Sequence, residues 1–223
     1  MKLAQKSCNY KLKELKERGF LLTEHRRCYD EIIQYCNVLA YDNLLEPRRG
    51  KSKNEPFIPM SLIHIEGKSF TVNKSRANKE EALAIADWLS ANQTYIIDFY
   101  SKHATKEYDK TDKSIPFKKP ELKDLVGIIT PFTAQKYTIA RILKSKGIKP
   151  IGMKIGTVHA LQGAERPIVI FSTVYSGNDI GKGYFFDRDN KPNMLNVAVS
   201  RAKDCFIVFG NRDIFNGNGS TPS

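Results

Sequence analysis

Arg201 and Lys203 stand where a short helical stretch, NMLNVAVS, runs into an apolar segment, Cys205 to Phe209. A cation at the mouth of a buried strand suits a phosphate-transfer site, because fixed positive charge there meets the charge that develops on a moving phosphoryl group. Other chemistry-bearing residues follow earlier apolar runs. Pro131, Thr133 and Gln135 come after VGIIT, and His159, Gln162, Gly163 and Glu165 come after the run that ends at Thr157. In an open parallel sheet, ligand-binding groups collect at the carboxyl ends of the strands. The inventory of hydroxyls, amides, one carboxylate and two cations is therefore expected on one rim, facing a phosphate ester. It contains no nucleophile–base pair. Each residue also has a plainer reading: Arg201 as a helix C-terminal cap, Gln162-Gly163 as a turn, Glu165 as a solvated acid. His159 has no partners at metal-ligand spacing and reads as a hydrogen-bonding or nucleic-acid-contacting residue.

These residues need a scaffold, and 223 residues suffice for one good core with an appendage. Apolar residues at 41 % and charged residues at 27 % are ordinary for a globular chain. From residue 125 the sequence alternates. LVGIITP, MKIGTV and PIVIFSTV read as strands, TAQKYTIARILKSKG as a helix ended by Gly147, and the closing stretch as helix then strand. Continuous apolar strands separated by helices predict an α/β fold, a mainly parallel sheet covered on both faces. Upstream, a periodic segment from Asp30 (Ile32, Ile33, Cys36, Leu39) predicts a helix, for which Thr23 is a candidate cap further upstream. Arg26 and Arg27 stand just before the periodic segment. PRRGKSKNEPFIP reads as a basic loop, SLIHIE as a buried strand, the stretch with Lys74 and Arg76 as polar, and NKEEALAIADWLSAN as a helix that could extend through YIIDFYSKH. Residues 101–123 are lysine-rich and read as a variable surface loop. Residues 1–20 read as a basic helix or linker from a preceding domain, with the Met1 start fitting a cut in a longer chain, and 216–223 as a tail.

The chain carries 36 Lys and Arg against 24 Asp and Glu, a net charge of +12. That excess suits polyanions, whose counterions are released on binding, or a solvated basic surface. No run approaches the roughly 18 apolar residues of a membrane span, and the start has no signal-peptide core. Cys8, Cys28, Cys36 and Cys205 form no C-x-x-C pair and read as reduced packing residues of a cytoplasmic protein.

In order and spacing, GIITPFTAQ, GTVHALQGAERPIVIFS and NMLNVAVSRAKDCFIVFGN resemble motifs IV, V and VI of superfamily 1 helicases. The branch is that of the nonsense-mediated-decay and Okazaki-processing helicases, and LTEHRRCYDEIIQYCN resembles an earlier motif of the same branch. The resemblance spans roughly 22–215. It implies a second RecA-like domain, a three-layer sandwich over 21–215, that binds ATP with Mg²⁺ against an upstream RecA-like domain and tracks single-stranded DNA or RNA. By the same resemblance Arg201 is the arginine finger and Arg27 a companion γ-phosphate contact, with Arg26 its possible substitute. Glu165, Gln162 and Gly163 belong to the motif that bridges nucleotide and nucleic acid. Thr130, Pro131, Gln135, Thr157 and His159 lie where the family meets the nucleic-acid backbone. No G-x-x-x-x-G-K-[ST] occurs, GNDIGK at 177–182 being one residue short, and no Asp-Glu pair ends an apolar strand. The chain alone is therefore expected to be inactive as an ATPase. The alternative is a stand-alone nucleic-acid-binding or interaction module. A hydrolase using Asp187 and Asp189 is a third, weaker reading, since both sit in a Gly- and Asn-rich turn.

Overall fold

The computed structural model describes residues 23–108, 116–161, 163–179 and 193–215. The expected first helix, the tail, Gln162, Cys8, Asp187 and Asp189 lie outside the described residues. The elements run β1 (Glu24–His25), α1 (Asp30–Ala40), β2 (Glu46–Pro47), β3 (Met60–His64), β4 (Ser69–Val72), β5 (Ser75–Asn78), α2 (Lys79–Tyr108), α3 (Leu122–Leu125), β6 (Val126–Ile129), α4 (Thr133–Ser145), β7 (Lys154–Gly156), β8 (Arg166–Ser172), α5 (Asn193–Val199) and β9 (Ala202–Gly210).

A five-stranded sheet in the order β3-β9-β8-β6-β7 forms the centre, and every pairing in it is parallel. Alternation along each strand divides the core into two. Ile128, Ile168, Ile170, Cys205, Ile207 and Phe209 face one side, where Ala82, Ile85, Leu89 and Ile96 of α2 and Ile139, Ile142 and Leu143 of α4 cover them. Ile129, Val169, Phe171 and Phe206 face the other, under Ile32, Ile33 and Cys36 of α1 and Leu195, Ala198 and Val199 of α5. Phe171 and Phe206 stack with ring centroids 5.9 Å apart. Both are fully buried, each contributing about 1.5–3 kcal/mol relative to exposure. The α/β three-layer sandwich is therefore present as expected.

Three local expectations are corrected. Residues 101–108 are helix, because α2 keeps an inward face through Ile96 and Tyr100, and Tyr100 donates a 2.7 Å hydrogen bond to Asp204 Oδ2. Only the later part of the expected loop remains, and α3 closes it, with Glu121 and Asp124 forming a reciprocal capping box. The polar stretch around Lys74 and Arg76 is an antiparallel hairpin, β4 to β5, turned by Asn73 and Lys74 at φ of 46° and 63°. Paired positive φ is the preferred two-residue hairpin turn, and a lysine in place of glycine hides it in the sequence. Thr23 caps no helix. It precedes β1, and Tyr29 is the residue before α1.

Candidate nucleotide-facing edge and nucleic-acid-facing edge

The parallel topology separates residues expected on one rim. Thr130 and Pro131 follow β6 and Thr157 follows β7, at the carboxyl edge of the sheet. Glu165 precedes β8, and Arg201 and Lys203 flank the start of β9, at the amino edge. The seven residues of β8 put about 20 Å between these edges at ~3.3 Å per residue. There are two candidate sites, one per edge.

At the amino edge, Arg27 Nε meets Glu165 Oε1 at 2.7 Å, and Lys203 Nζ lies 3.6 Å from Glu165 Oε2. Arg26 pairs instead with Glu24 at 2.8 Å, so Arg27 is the arginine at this cluster. Gly163 adopts φ +75°, a left-handed turn that glycine takes without strain, and carries the chain to Glu165. Glu24, His25, Arg26, Arg27, Arg49, Glu165 and Lys203 line an open cleft of about 720 Å³. Burial, then the Arg27 charge, lowers the His25 pKa.

Arg201 is half-buried, and its Nε donates to the Val197 carbonyl at 3.2 Å. The helix-capping reading thus holds for Nε, while its Nη groups have no partner among the described residues. Its carbonyl accepts the Arg166 N–H at 3.1 Å, placing its backbone one residue from Glu165.

Sequence reasoning missed Arg49. Its guanidinium donates to the carbonyls of Lys203 at 2.5 Å and Arg27 at 3.0 Å, pairs with Asp204 at 2.5 Å, and lies 4.0 Å over the Tyr29 ring. It ties the Arg27 segment to the start of β9. Only a basic loop, Pro-Arg-Arg-Gly, marks it in sequence.

The carboxyl edge differs from expectation. Thr130, Pro131 and Gln135 are buried, and Thr157 is half-buried. Gln135 is wholly enclosed, and its amide is spent internally. Oε1 accepts the Asn78 N–H at 2.8 Å, and Nε2 donates to the Asn78 carbonyl at 3.0 Å and to Ser172 Oγ at 2.9 Å. It offers no free atom to a nucleic acid and instead holds the hairpin against α4. The signal was available, since Gln135 shares a helical face with Ile139, Ile142 and Leu143. His159 lies in a 3₁₀ turn, Val158–Leu161. Beneath this edge Glu81 is buried and receives hydrogen bonds from Ser172 Oγ (2.6 Å), Val174 N (2.9 Å) and Thr173 Oγ1 (3.1 Å). Val174 is held at φ +72°, strained for a β-branched residue.

Cys28, Cys36 and Cys205 are free and buried, and burial pushes each thiol up to about 12, as fits packing residues. Among the described residues no cluster of His, Cys, Asp and Glu could hold a metal ion. The donor set at the amino edge fits a polyphosphate's anionic end. The phosphate cradle and metal carboxylates would have to come from elsewhere. Among the described residues no helix is long and apolar enough to cross a membrane.

The sequence is similar to those of known helicases. "Probable RNA helicase armi" of Drosophila melanogaster is 41 % identical over 95 residues, covering 40 % of this chain and 8 % of that protein. "ATP-dependent helicase upf1" of Schizosaccharomyces pombe is 34 % identical over 94 residues, 40 % of this chain and 10 % of that protein. "Helicase sen1" of the same yeast is 26 % identical over 204 residues, 86 % of this chain and 11 % of that protein. The matched stretch is thus about a tenth of each relative's length. A family model described as an AAA domain matches residues 4–213. The chain belongs to this AAA-domain family, and the curated relatives it resembles are helicases.

Proposed function

We propose that this chain is the carboxy-terminal motor domain of an ATP-dependent helicase, supplying an arginine finger and part of a nucleic-acid track. The observation that carries the reading is the 2.7 Å contact joining Arg27 to Glu165, with Lys203 on the same carboxylate and the Arg201 backbone beside it. ATP with Mg²⁺, bound against an upstream RecA-like domain, supplies the γ-phosphoryl group. Arg201 would turn its unpaired Nη groups to that anion and neutralise the charge that develops on it. Arg27 would exchange part of its pairing with Glu165 for the same phosphate. Glu165 holds both Arg27 and Lys203 in place meanwhile, which keeps the cations poised without a partner present. Single-stranded DNA or RNA would lie across the carboxyl edge, near Thr130, Pro131, Thr157 and His159. Contacts there to the backbone give salt-sensitive, sequence-tolerant binding. Such a motor would act in the cytoplasm or the nucleus.

Reconstitution with the upstream coding segment, followed by ATPase assays with DNA and with RNA, tests this. Activity should appear only with both parts present and fall by at least about 10³-fold on Arg201→Ala. Steady turnover by this chain alone, lost on Arg201→Ala, refutes the division of labour. The second reading, a stand-alone binding module, is favoured by the internal pairing of Arg27 and Glu165. An upstream sequence without a G-x-x-x-x-G-K-[ST] loop would support it.

A further inference from the structure

We propose that the groove between β4 and α4 is a stacking site for unpaired nucleotides, separate from the motif residues of the carboxyl edge. It rests on the reading of this chain as a nucleic-acid-binding domain.

The groove has a volume of about 380 Å³ and is lined by Phe70, Val72, Ala134, Tyr137, Thr138 and Arg141. Its apolar side chains are unusually open: Phe70 is 43 % exposed, Val72 41 % and Tyr137 64 %. Large exposed apolar groups gathered in one place mark a binding surface rather than a chance of packing. Cations rim it. Lys136 Nζ lies 5.4 Å from the centre of the Tyr137 ring. Arg141 is exposed and has no ion pair among the described residues. Neither the hairpin nor α4 contains an Asp or Glu, while together they carry Lys74, Lys136, Arg141 and Lys144, and Arg76, which pairs with Asp179 at 2.6 Å.

The walls are fixed before any ligand arrives. Gln135 grips both backbone polar groups of Asn78, and the Ala134 N–H donates to Ser75 Oγ at 3.1 Å. A preformed groove costs little ordering on binding. It is continuous with the carboxyl edge, since α4 begins two residues after Pro131. Aromatic faces beside Lys136 and Arg141, with no acid among the groove's lining residues, complement a chain of flat bases joined by phosphates. A base would stack on Tyr137 or Phe70 while Arg141 and Lys136 meet the flanking phosphates.

The test uses the whole chain and two fluorescein-labelled probes at low salt, a short oligothymidylate and an abasic strand of the same length, read by anisotropy. Tyr137→Ala and Phe70→Ser should each weaken the oligothymidylate about tenfold and leave the abasic strand unchanged. Tyr137→Trp should restore wild-type affinity, and Ile151→Ser, an exposed apolar residue outside the groove, should change neither probe. Arg141→Ala should weaken both probes. If the groove variants bind oligothymidylate like wild type, the groove is overturned while the nucleic-acid reading of the domain stands. Equal loss on both probes overturns stacking. If wild type binds neither probe, both readings fall. If polyglutamate binds wild type and is lost with Tyr137→Ala while oligothymidylate is not, the groove takes an acidic peptide and the proposal is overturned.

Discussion

Gln135→Leu separates a structural amide from a nucleic-acid contact. The replacement keeps the approximate volume and removes every hydrogen bond. The Asn78 N–H and carbonyl are buried, and each loses its Gln135 partner at 2.8 and 3.0 Å. Leaving a buried backbone group unpaired costs about 1–3 kcal/mol, so the two together cost about 2–6. Ser172 Oγ loses a donor but keeps its own bond to Glu81, which adds little. The more apolar leucine returns about a quarter of that, leaving a net loss of about 1.5–4.5 kcal/mol, centred near 3. For a domain of this size about 2–4 °C of melting temperature accompanies each kcal/mol, so Tm should fall by about 10 °C. Thermal and urea denaturation followed by far-ultraviolet circular dichroism measure it. A direct ligand contact predicts the opposite pattern: unchanged stability, because surface side chains cost little, and weakened oligonucleotide binding. A loss below about 1 kcal/mol would refute the account of Gln135 as the latch between hairpin and α4.

Three further outcomes are expected. Arg49→Ala should destabilise the chain by about 2–4 kcal/mol in urea titration, because it strips the buried Asp204 of its cation, removes the side-chain donor to the Arg27 carbonyl and leaves the Lys203 carbonyl with the Tyr29 N–H alone. Glu81 should make stability fall as pH rises. Burial pushes its carboxyl up to about 8 from an ordinary 4.5, against the hydrogen bonds from Ser172, Val174 and Thr173. The folded chain therefore holds that proton more tightly than the unfolded one. Its contribution is full below 4.5 and lost as pH rises through about 8, so Tm measured across that window should slope downward in wild type and less so in Glu81→Gln. An equal slope in both would assign the titration to another group. Gly210→Ala should cost about 1–3 kcal/mol, since an added Cβ would sit 2.1 Å from Thr173 Oγ1. Its denaturation midpoint should match wild type if the backbone can yield there.

The sheet was legible because buried parallel strands write themselves as unbroken apolar runs, VGII, PIVIF and CFIVF. The hairpin was not, because its turn uses Asn73 and Lys74 and its outer face is polar. The same limit governs the sites. Arg27 and Glu165 were singled out separately by resemblance to helicase motifs, while their contact is a product of folding that no spacing predicts. Arg49 acts partly through backbone carbonyls, which have no identity in a sequence, and partly through Asp204, which lies 155 residues away. The expectation of one rim failed for a topological reason. In a parallel sheet, residues that follow a strand and residues that precede one lie at opposite edges, so strand position alone assigns Thr157 and Glu165 to different sites.

That separation gives the segment between them its meaning. The chain leaves β7 at Thr157, passes through the 3₁₀ turn, and reaches Glu165 at the start of β8. It therefore crosses the full depth of the sheet in one short connection. Val158 in the turn packs into the same core face as α1 and α5, whose neighbouring residues are Arg27 and Arg201. Under the proposed function, a displacement of Glu165 toward or away from Arg27 would pass through these packed atoms to the edge where Thr157 sits. In the proposed motor, closing on a phosphate at one edge would have to move a strand of nucleic acid at the other, and this connection joins the two edges.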